Sequence, residues 1–86
     1  MNHSIKKIYD VAPYKISLLF NDEQIRTIDL YGKLNEWADS PDSKFKQLLD
    51  PEFFTKVKLN EELKTIYWDN GIDFCPNSLY EWGKES

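Results

Sequence analysis

An alternation of apolar and polar side chains organises the first third of the chain. It is clearest in the run that ends at Phe20, where every second residue is apolar. A period of two is typical of a strand with one buried face. Three segments show it and are predicted to be strands: Ile5–Val11, Tyr14–Phe20 and Ile25–Leu30. Short polar turns separate them, so an antiparallel meander is predicted, with Ile5, Tyr9 and Val11 sharing one face of the first strand.

From Tyr31 onward the apolar spacing becomes helical. Two sets of apolar residues stand at positions i, i+3 and i+4, namely Leu34, Trp37, Ala38 and then Phe45, Leu48, Leu49. The segment Ser40-Pro41-Asp42-Ser43 separates the two sets, and Asp50-Pro51 is predicted to start a third helical turn. Helices this short are stabilised mainly by tertiary packing, so we expect them to lie on the sheet.

The last third returns to short strands and closes with a helix. Val57–Leu59 and Thr65–Trp68 are predicted strands, and Asn70-Gly71 is predicted to form a tight turn because both residues tolerate positive φ. A final helix is expected to begin at Pro76, with capping-box spacing at Ser78–Glu81. The predicted fold class is α+β, an antiparallel sheet (a three-stranded N-terminal meander plus C-terminal strands) packed by short helices.

A length of 86 residues allows one domain, predicted to span residues 1–86. Aromatic residues make up 15% of the chain, which helps such a small core to bury enough area. The core is predicted to contain Ile16, Leu18, Phe20, Ile28, Phe45, Leu48, Phe53, Phe54, Val57, Trp68 and Leu79.

The charged residues are unevenly distributed along the chain. The net charge is -4, and residues 1–60 contain equal numbers of basic and acidic side chains, so the whole surplus lies in residues 61–86. An acidic segment attracts basic surfaces and repels phosphate, which favours a basic protein as partner and disfavours nucleic acid. The candidate partner-binding residues are Glu61, Glu62, Tyr67, Asp73, Glu81 and Trp82, which combine carboxylates with aromatic rings.

Residue types that carry catalysis are scarce in the sequence. His3, the sole histidine, stands near a terminus that is expected to fray. Cys75, the sole cysteine, is expected to pack as a small buried hydrophobe. Asp69–Asp73 has the start of a calcium-loop spacing without the later ligands, so a simple turn is expected. The sequence therefore predicts neither an enzyme nor a bound metal or cofactor.

The chain contains no apolar segment of spanning length and does not begin with a secretory signal pattern. With a single cysteine, no disulfide can form within the chain. The cytoplasm is therefore the expected compartment, with no membrane partner.

Four stretches of the chain resemble a known family. The most specific is Trp68–Tyr80, similar to the pattern Trp-Pro-Asn-Gly-Ala-Asp-Leu-x-Pro-x-x-Leu-Tyr, although Asp69 replaces the first proline. The others are Ile16–Glu23, Ile28–Leu30 and Leu48–Val57. Over about residues 5–82 the chain thus resembles the small bacterial proteins of the domain of unknown function 2442 family. The residues interpreted as its structural signature are Trp68, Asn70, Gly71, Asp73, Pro76, Leu79 and Tyr80.

The resemblance also implies a function. Many members are thought to be encoded beside another small protein in gene pairs that resemble toxin–antitoxin modules, with this domain as the antitoxin. The expected function is therefore a non-catalytic protein-interaction module, the antitoxin-like partner of a small basic protein. A small-ligand-binding or regulatory domain acting as a homodimer is the alternative. Nucleic-acid binding through Lys6, Lys7, Lys44 and Lys46 also stays open.

Overall fold

Six strands and four short helices make up the part of the chain that the computed structural model describes, which is residues 3–40 and 42–85. The predicted α+β class is confirmed. In chain order the elements are β1 (Ile5–Ala12), β2 (Lys15–Phe20), β3 (Ile25–Asp29), α1 (Tyr31–Trp37), α2 (Phe45–Leu48), α3 (Pro51–Phe54), β4 (Lys58–Asn60), β5 (Thr65–Tyr67), α4 (Pro76–Trp82) and β6 (Lys84–Glu85).

The strands form two antiparallel sheets. The larger has the order β1-β2-β3-β6, and its first three strands are the predicted meander. The smaller contains β4 and β5. The addition of β6 to the edge of β3 was not predicted, because a two-residue strand carries no periodicity of its own.

β1 contains two irregularities that change which of its side chains reach the core. Ile5 lies opposite Phe20, Ile8 opposite Leu18 and Val11 opposite Ile16, with a register shift in each interval. Each shift adds one residue to β1, as in a β-bulge, so the core positions recur every three residues instead of every two. The prediction that Tyr9 shares the face of Ile5 and Val11 is therefore wrong, and Tyr9 is 60% exposed.

Most of the predicted core is confirmed. Eight of its members are buried: Ile16, Leu18, Phe20, Ile28, Leu48, Phe54, Trp68 and Leu79. Phe45, Phe53 and Val57 are only half-buried, because they pack against the rim of this cluster. The core also contains apolar residues that were not predicted there, including Ile5, Leu30, Leu34, Ile66 and Ile72.

The starts of α3 and α4 test the capping predictions. α3 begins as predicted, with the Asp50 carboxylate accepting a hydrogen bond from the Glu52 N–H at 3.0 Å. α4 begins at the predicted Pro76, but its N-cap is Cys75 and has no side-chain hydrogen bond. Ser78 lies inside the helix, so the capping-box interpretation is wrong. Pro41, in the predicted break before α2, lies outside the described residues.

The predicted Asn70-Gly71 turn is confirmed. Gly71 has φ +92°, and its N–H donates to the Trp68 carbonyl at 3.0 Å. After the turn, an isolated antiparallel bridge joins Asp73 to Tyr67 at the end of β5. The Asn70 amide also donates to Gln47 Oε1 at 2.7 Å, which ties this turn to α2.

The segment that precedes β1 packs against α4 through His3, and we call the contacts of His3 and Arg26 with Tyr80 the clamp. The His3 ring stacks on Tyr80 with their centroids 3.6 Å apart, and the His3 N–H donates to Asn77 Oδ1 at 2.7 Å. The Arg26 guanidinium lies 3.7 Å from the centroid of the same ring. Two groups this close must cover opposite faces of the tyrosine. The expectation that His3 frays is thus wrong, since contacts with a helix more than 70 residues away hold it.

A hydrogen bond at this clamp makes stability depend on pH. The Tyr80 hydroxyl donates to Asp22 Oδ2 at 2.5 Å, which lowers the pKa of the Asp22 carboxyl and raises the pKa of Tyr80. The Asp22 contribution is present above its ordinary pKa of 3.8 and is lost as pH falls through the lowered value. The Tyr80 contribution is present below its ordinary 10.0 and is lost as pH rises through the raised value.

We therefore expect Tyr80→Phe, which keeps the ring stacking, to unfold more easily than the parent chain at neutral pH. The difference in urea midpoint should shrink both in acid and in strong base, because the hydrogen bond is lost there in the parent chain. Tyr9→Phe is the matched control, since that ring is exposed, and it should show no such pH dependence. A Tyr80→Phe difference that stays constant across the pH range would contradict the assignment.

Candidate functional site

The six candidate partner-binding residues lie in three places. Glu61 and Glu62 are exposed in the connection between β4 and β5. Tyr67, at the end of β5, is paired with Asp73 across the Asn70-Gly71 turn. Glu81 and Trp82 form the C-terminal end of α4.

The surroundings of Trp82 are cationic. Its half-buried ring packs against Trp37 and Phe74, with centroid distances of 5.7 Å and 6.1 Å. Lys33 Nζ lies 4.5 Å from the Trp82 ring centroid, and Lys15 and Lys84 line a cavity that the ring also lines. The positive charge of these three lysines disfavours contact with a basic partner on this side of the indole.

The acidic character near Tyr67 is carried by Asp73. The neighbouring Asp69 forms an ion pair with Lys58, with Nζ 3.0 Å from Oδ1, and this hydrogen bond raises the pKa of Lys58. The ion pair with Lys58 offsets the negative charge of Asp69, so Asp69 attracts a basic partner less. Asp73 stays exposed beside the half-buried Tyr67.

The most exposed apolar side chain of the acidic segment is one that the sequence analysis missed. Leu63 is 65% exposed and follows directly after Glu61 and Glu62. We call residues 61–64 the Leu63 turn. The signal for it in the sequence is a single leucine among polar neighbours, between the predicted strands Val57–Leu59 and Thr65–Trp68.

The backbone of the Leu63 turn is fixed by hydrogen bonds. Asn60 Oδ1 accepts from the N–H groups of Glu62 and Leu63, each at 3.0 Å. The Lys64 N–H donates to the Asn60 carbonyl at 2.8 Å, and Lys64 has φ +58°. The Lys64 carbonyl then accepts from the Ile5 N–H at 2.9 Å, which ties the turn to β1. Leu63 is thus presented on an ordered turn, which lowers the entropy cost of binding.

The signature residues fill structural positions. Trp68 and Leu79 are buried, Asn70 and Gly71 form the turn, Asp73 is in the bridge, Pro76 begins α4 and Tyr80 belongs to the clamp. Cys75 is exposed, so the prediction that it packs in the core is wrong. Its neighbours Phe74 and Pro76 take the half-buried positions instead.

The residues of the alternative basic site are also dispersed. Lys6 and Lys7 lie on β1, where Lys6 forms an ion pair with Glu23, whereas Lys44 and Lys46 belong to the α2 segment. Within the described ranges, no group of three or more His, Cys, Asp or Glu side chains is placed to hold a metal ion. None of the helices in this part of the chain is both long and apolar enough to cross a membrane.

Comparison with known protein families gives a match over residues 7–85, to the family described as "Protein of unknown function (DUF2442)". A search of curated proteins finds no match. A similar solved structure is described as "Putative DNA Binding Protein NE0471 from Nitrosomonas europaea ATCC 19718", with a TM-score of 0.75 and 23% identity. The alignment covers 95% of this chain and 49% of that one, so this chain spans about half the length of its structural neighbour. At this identity the likeness establishes the fold alone.

Proposed function

We propose that the chain, which belongs to the family described as "Protein of unknown function (DUF2442)", is a non-catalytic module that binds another protein through the Leu63 turn. The observation that carries the proposal is an exposed leucine beside two carboxylates on a turn with a fixed backbone. An apolar anchor that is ordered before binding supplies affinity, and the surrounding charges supply orientation and on-rate.

The partner that fits this surface is a small basic protein with an apolar pocket for Leu63. Glu61 and Glu62 steer it toward the turn, and Asp73 adds a further negative charge. In this proposal the chain is the antitoxin-like half of a bacterial, cytoplasmic two-protein module. The negative surplus of residues 61–86 supports such a partner over a phosphate backbone.

Two other kinds of partner, a second copy of the chain and DNA, are distinguished by experiment. Self-association would bury the Leu63 turn between two copies of the chain. DNA is the partner named in the description of the structural neighbour, whose chain is about twice as long. Sedimentation of the isolated chain and competition with duplex DNA separate these outcomes from binding to a basic protein.

The direct test measures binding of the protein encoded beside this chain. Leu63→Ala should weaken binding about tenfold or more, because truncation of a central anchor costs upwards of about 1.4 kcal/mol. Glu61→Gln with Glu62→Gln should mainly slow association and flatten its dependence on salt.

Tyr9→Ala is the matched control, since it removes another exposed apolar side chain from a different part of the fold. Binding by Leu63→Ala that equals binding by the parent chain would contradict the assignment of the Leu63 turn. Absence of any complex with the neighbouring protein would overturn the two-protein interpretation, and a dimer sensitive to Leu63→Ala would replace it.

A further inference from the structure

A cavity of about 360 Å³ lies on the outer face of the larger sheet, the face turned away from Ile16 and Leu18. Its lining residues are Lys15, Thr27, Asp29, Trp82 and Lys84. The sheet register explains how the four polar residues converge. Lys15 lies opposite Asp29 in the β2–β3 pair, and Thr27 lies opposite Lys84 in the β3–β6 pair, so all four share one face.

The cavity carries a positive charge that the chain does not neutralise. Neither Lys15 nor Lys84 forms an ion pair within the described part of the chain. One carboxylate, Asp29, faces two lysines, and Lys33 adds a third ammonium group beside the Trp82 ring. β2 and β6 are two strand spacings apart, roughly 10 Å, so the two long side chains can reach one anion from opposite sides.

We infer that this cavity binds a nucleotide-sized organic phosphate, of which a nucleoside monophosphate is the simplest example. The two ammonium groups suit the phosphate, and the indole of Trp82, which lines the cavity, offers an aromatic contact to a flat ring. The Asp29 carboxylate accepts from the Tyr31 N–H at 3.0 Å and has further acceptor positions for ribose hydroxyl or base N–H groups. The cavity volume lies within the usual range of about 300–1,000 Å³ for small-molecule sites.

Simpler anions use only part of this lining. Inorganic phosphate would engage the lysines but leave the Trp82 wall bare. An apolar anion would cover Trp82 but place Asp29 against a group that donates no hydrogen bond, and this costs desolvation energy. The combination of cations, an acceptor and an indole therefore selects a phosphate ester that also carries hydroxyl or amino donors.

The test is isothermal titration of the full chain with adenosine 5′-monophosphate, with adenosine and inorganic phosphate as matched ligands. We expect the monophosphate to bind at least about tenfold more tightly than adenosine or inorganic phosphate. Adenosine lacks the charge-assisted contacts to the lysines, and inorganic phosphate lacks the contact of a ring with Trp82. Lys15→Gln and Lys84→Gln should each weaken binding about fivefold or more. Lys56→Gln, at an exposed lysine after α3 that does not line the cavity, is the control and should leave binding unchanged.

Two results would overturn the inference. One is equal binding of phosphate and the monophosphate, and the other is binding that neither Lys15→Gln nor Lys84→Gln changes. A single-stranded oligoadenylate distinguishes the sources of the ligand. If the oligoadenylate binds more tightly than the monophosphate and depends on the same lysines, the site takes a nucleotide within a strand. If the oligoadenylate and the monophosphate bind with equal affinity, the ligand is the free nucleotide. Leu63→Ala should not alter either titration, because this site is independent of the proposed protein-binding turn.

Discussion

Replacement of Trp68 by alanine should lower the free energy of unfolding by about 3–5 kcal/mol. The side chain is 1% exposed and packs against Phe54 and Phe74, with both centroid distances 5.7 Å. Its Nε1–H also donates to the Phe54 carbonyl at 3.0 Å. A domain of this size has a total stability of about 5–15 kcal/mol, so one substitution would remove a large share of it. Urea denaturation followed by far-UV circular dichroism measures the effect.

Trp68→Phe separates the hydrogen bond from the packing. It keeps a ring in the core but removes the donor to the Phe54 carbonyl, and an unsatisfied buried acceptor costs about 1–3 kcal/mol. Its midpoint should therefore lie between those of the parent chain and Trp68→Ala. Tyr9→Ala, at an exposed site, should change stability by no more than about 0.5 kcal/mol. A Trp68→Ala variant as stable as this control would show that the ring does not carry the core.

Gly83→Ala should cost about 1–3 kcal/mol, although the backbone angles at Gly83 suit any residue. A Cβ at this position would lie 2.9 Å from Arg26 Cβ and 3.2 Å from the Leu79 carbonyl oxygen. These atoms belong to β3 and to the preceding turn of α4, so neither can move freely. The substitution should push α4 away from β3 and loosen the edge where β6 pairs.

Gly32→Ala provides the contrasting control for a glycine substitution. Gly32 lies in α1, and a Cβ there would meet no atom within 4 Å. Alanine restricts the unfolded chain more than glycine does, so this variant should gain about 0.4–1 kcal/mol in urea unfolding. The prediction for Gly83 is contradicted if Gly83→Ala melts at or above the parent temperature. If only Gly83→Ala loses stability, the requirement for glycine at position 83 comes from the close packing there, and not from a general effect of replacing glycine.

The candidate site could be predicted only in part from the sequence. The charge distribution places the negative surplus in residues 61–86, and the structure exposes Glu61, Glu62 and Asp73 there. The proposed anchor is the apolar side chain of this segment that stays exposed. Which side chain stays exposed depends on packing by elements that are distant in the chain. Trp82 packs on Trp37 from α1, whereas Leu63 finds no cover and is 65% exposed. The sequence therefore indicated the segment but not its exposed residue.

What the sequence by itself determined are the features set by neighbouring residues. The alternation in β2, the Asp50 cap of α3 and the positive φ of Gly71 each depend on a few adjacent positions, and all three occur as predicted. Only the tertiary structure decided the two irregularities of β1, the clamp of His3 on Tyr80 and the close approach of Gly83 to Arg26. The physical reason is that these depend on contacts between elements far apart in the chain, where packing overrides local periodicity and propensity.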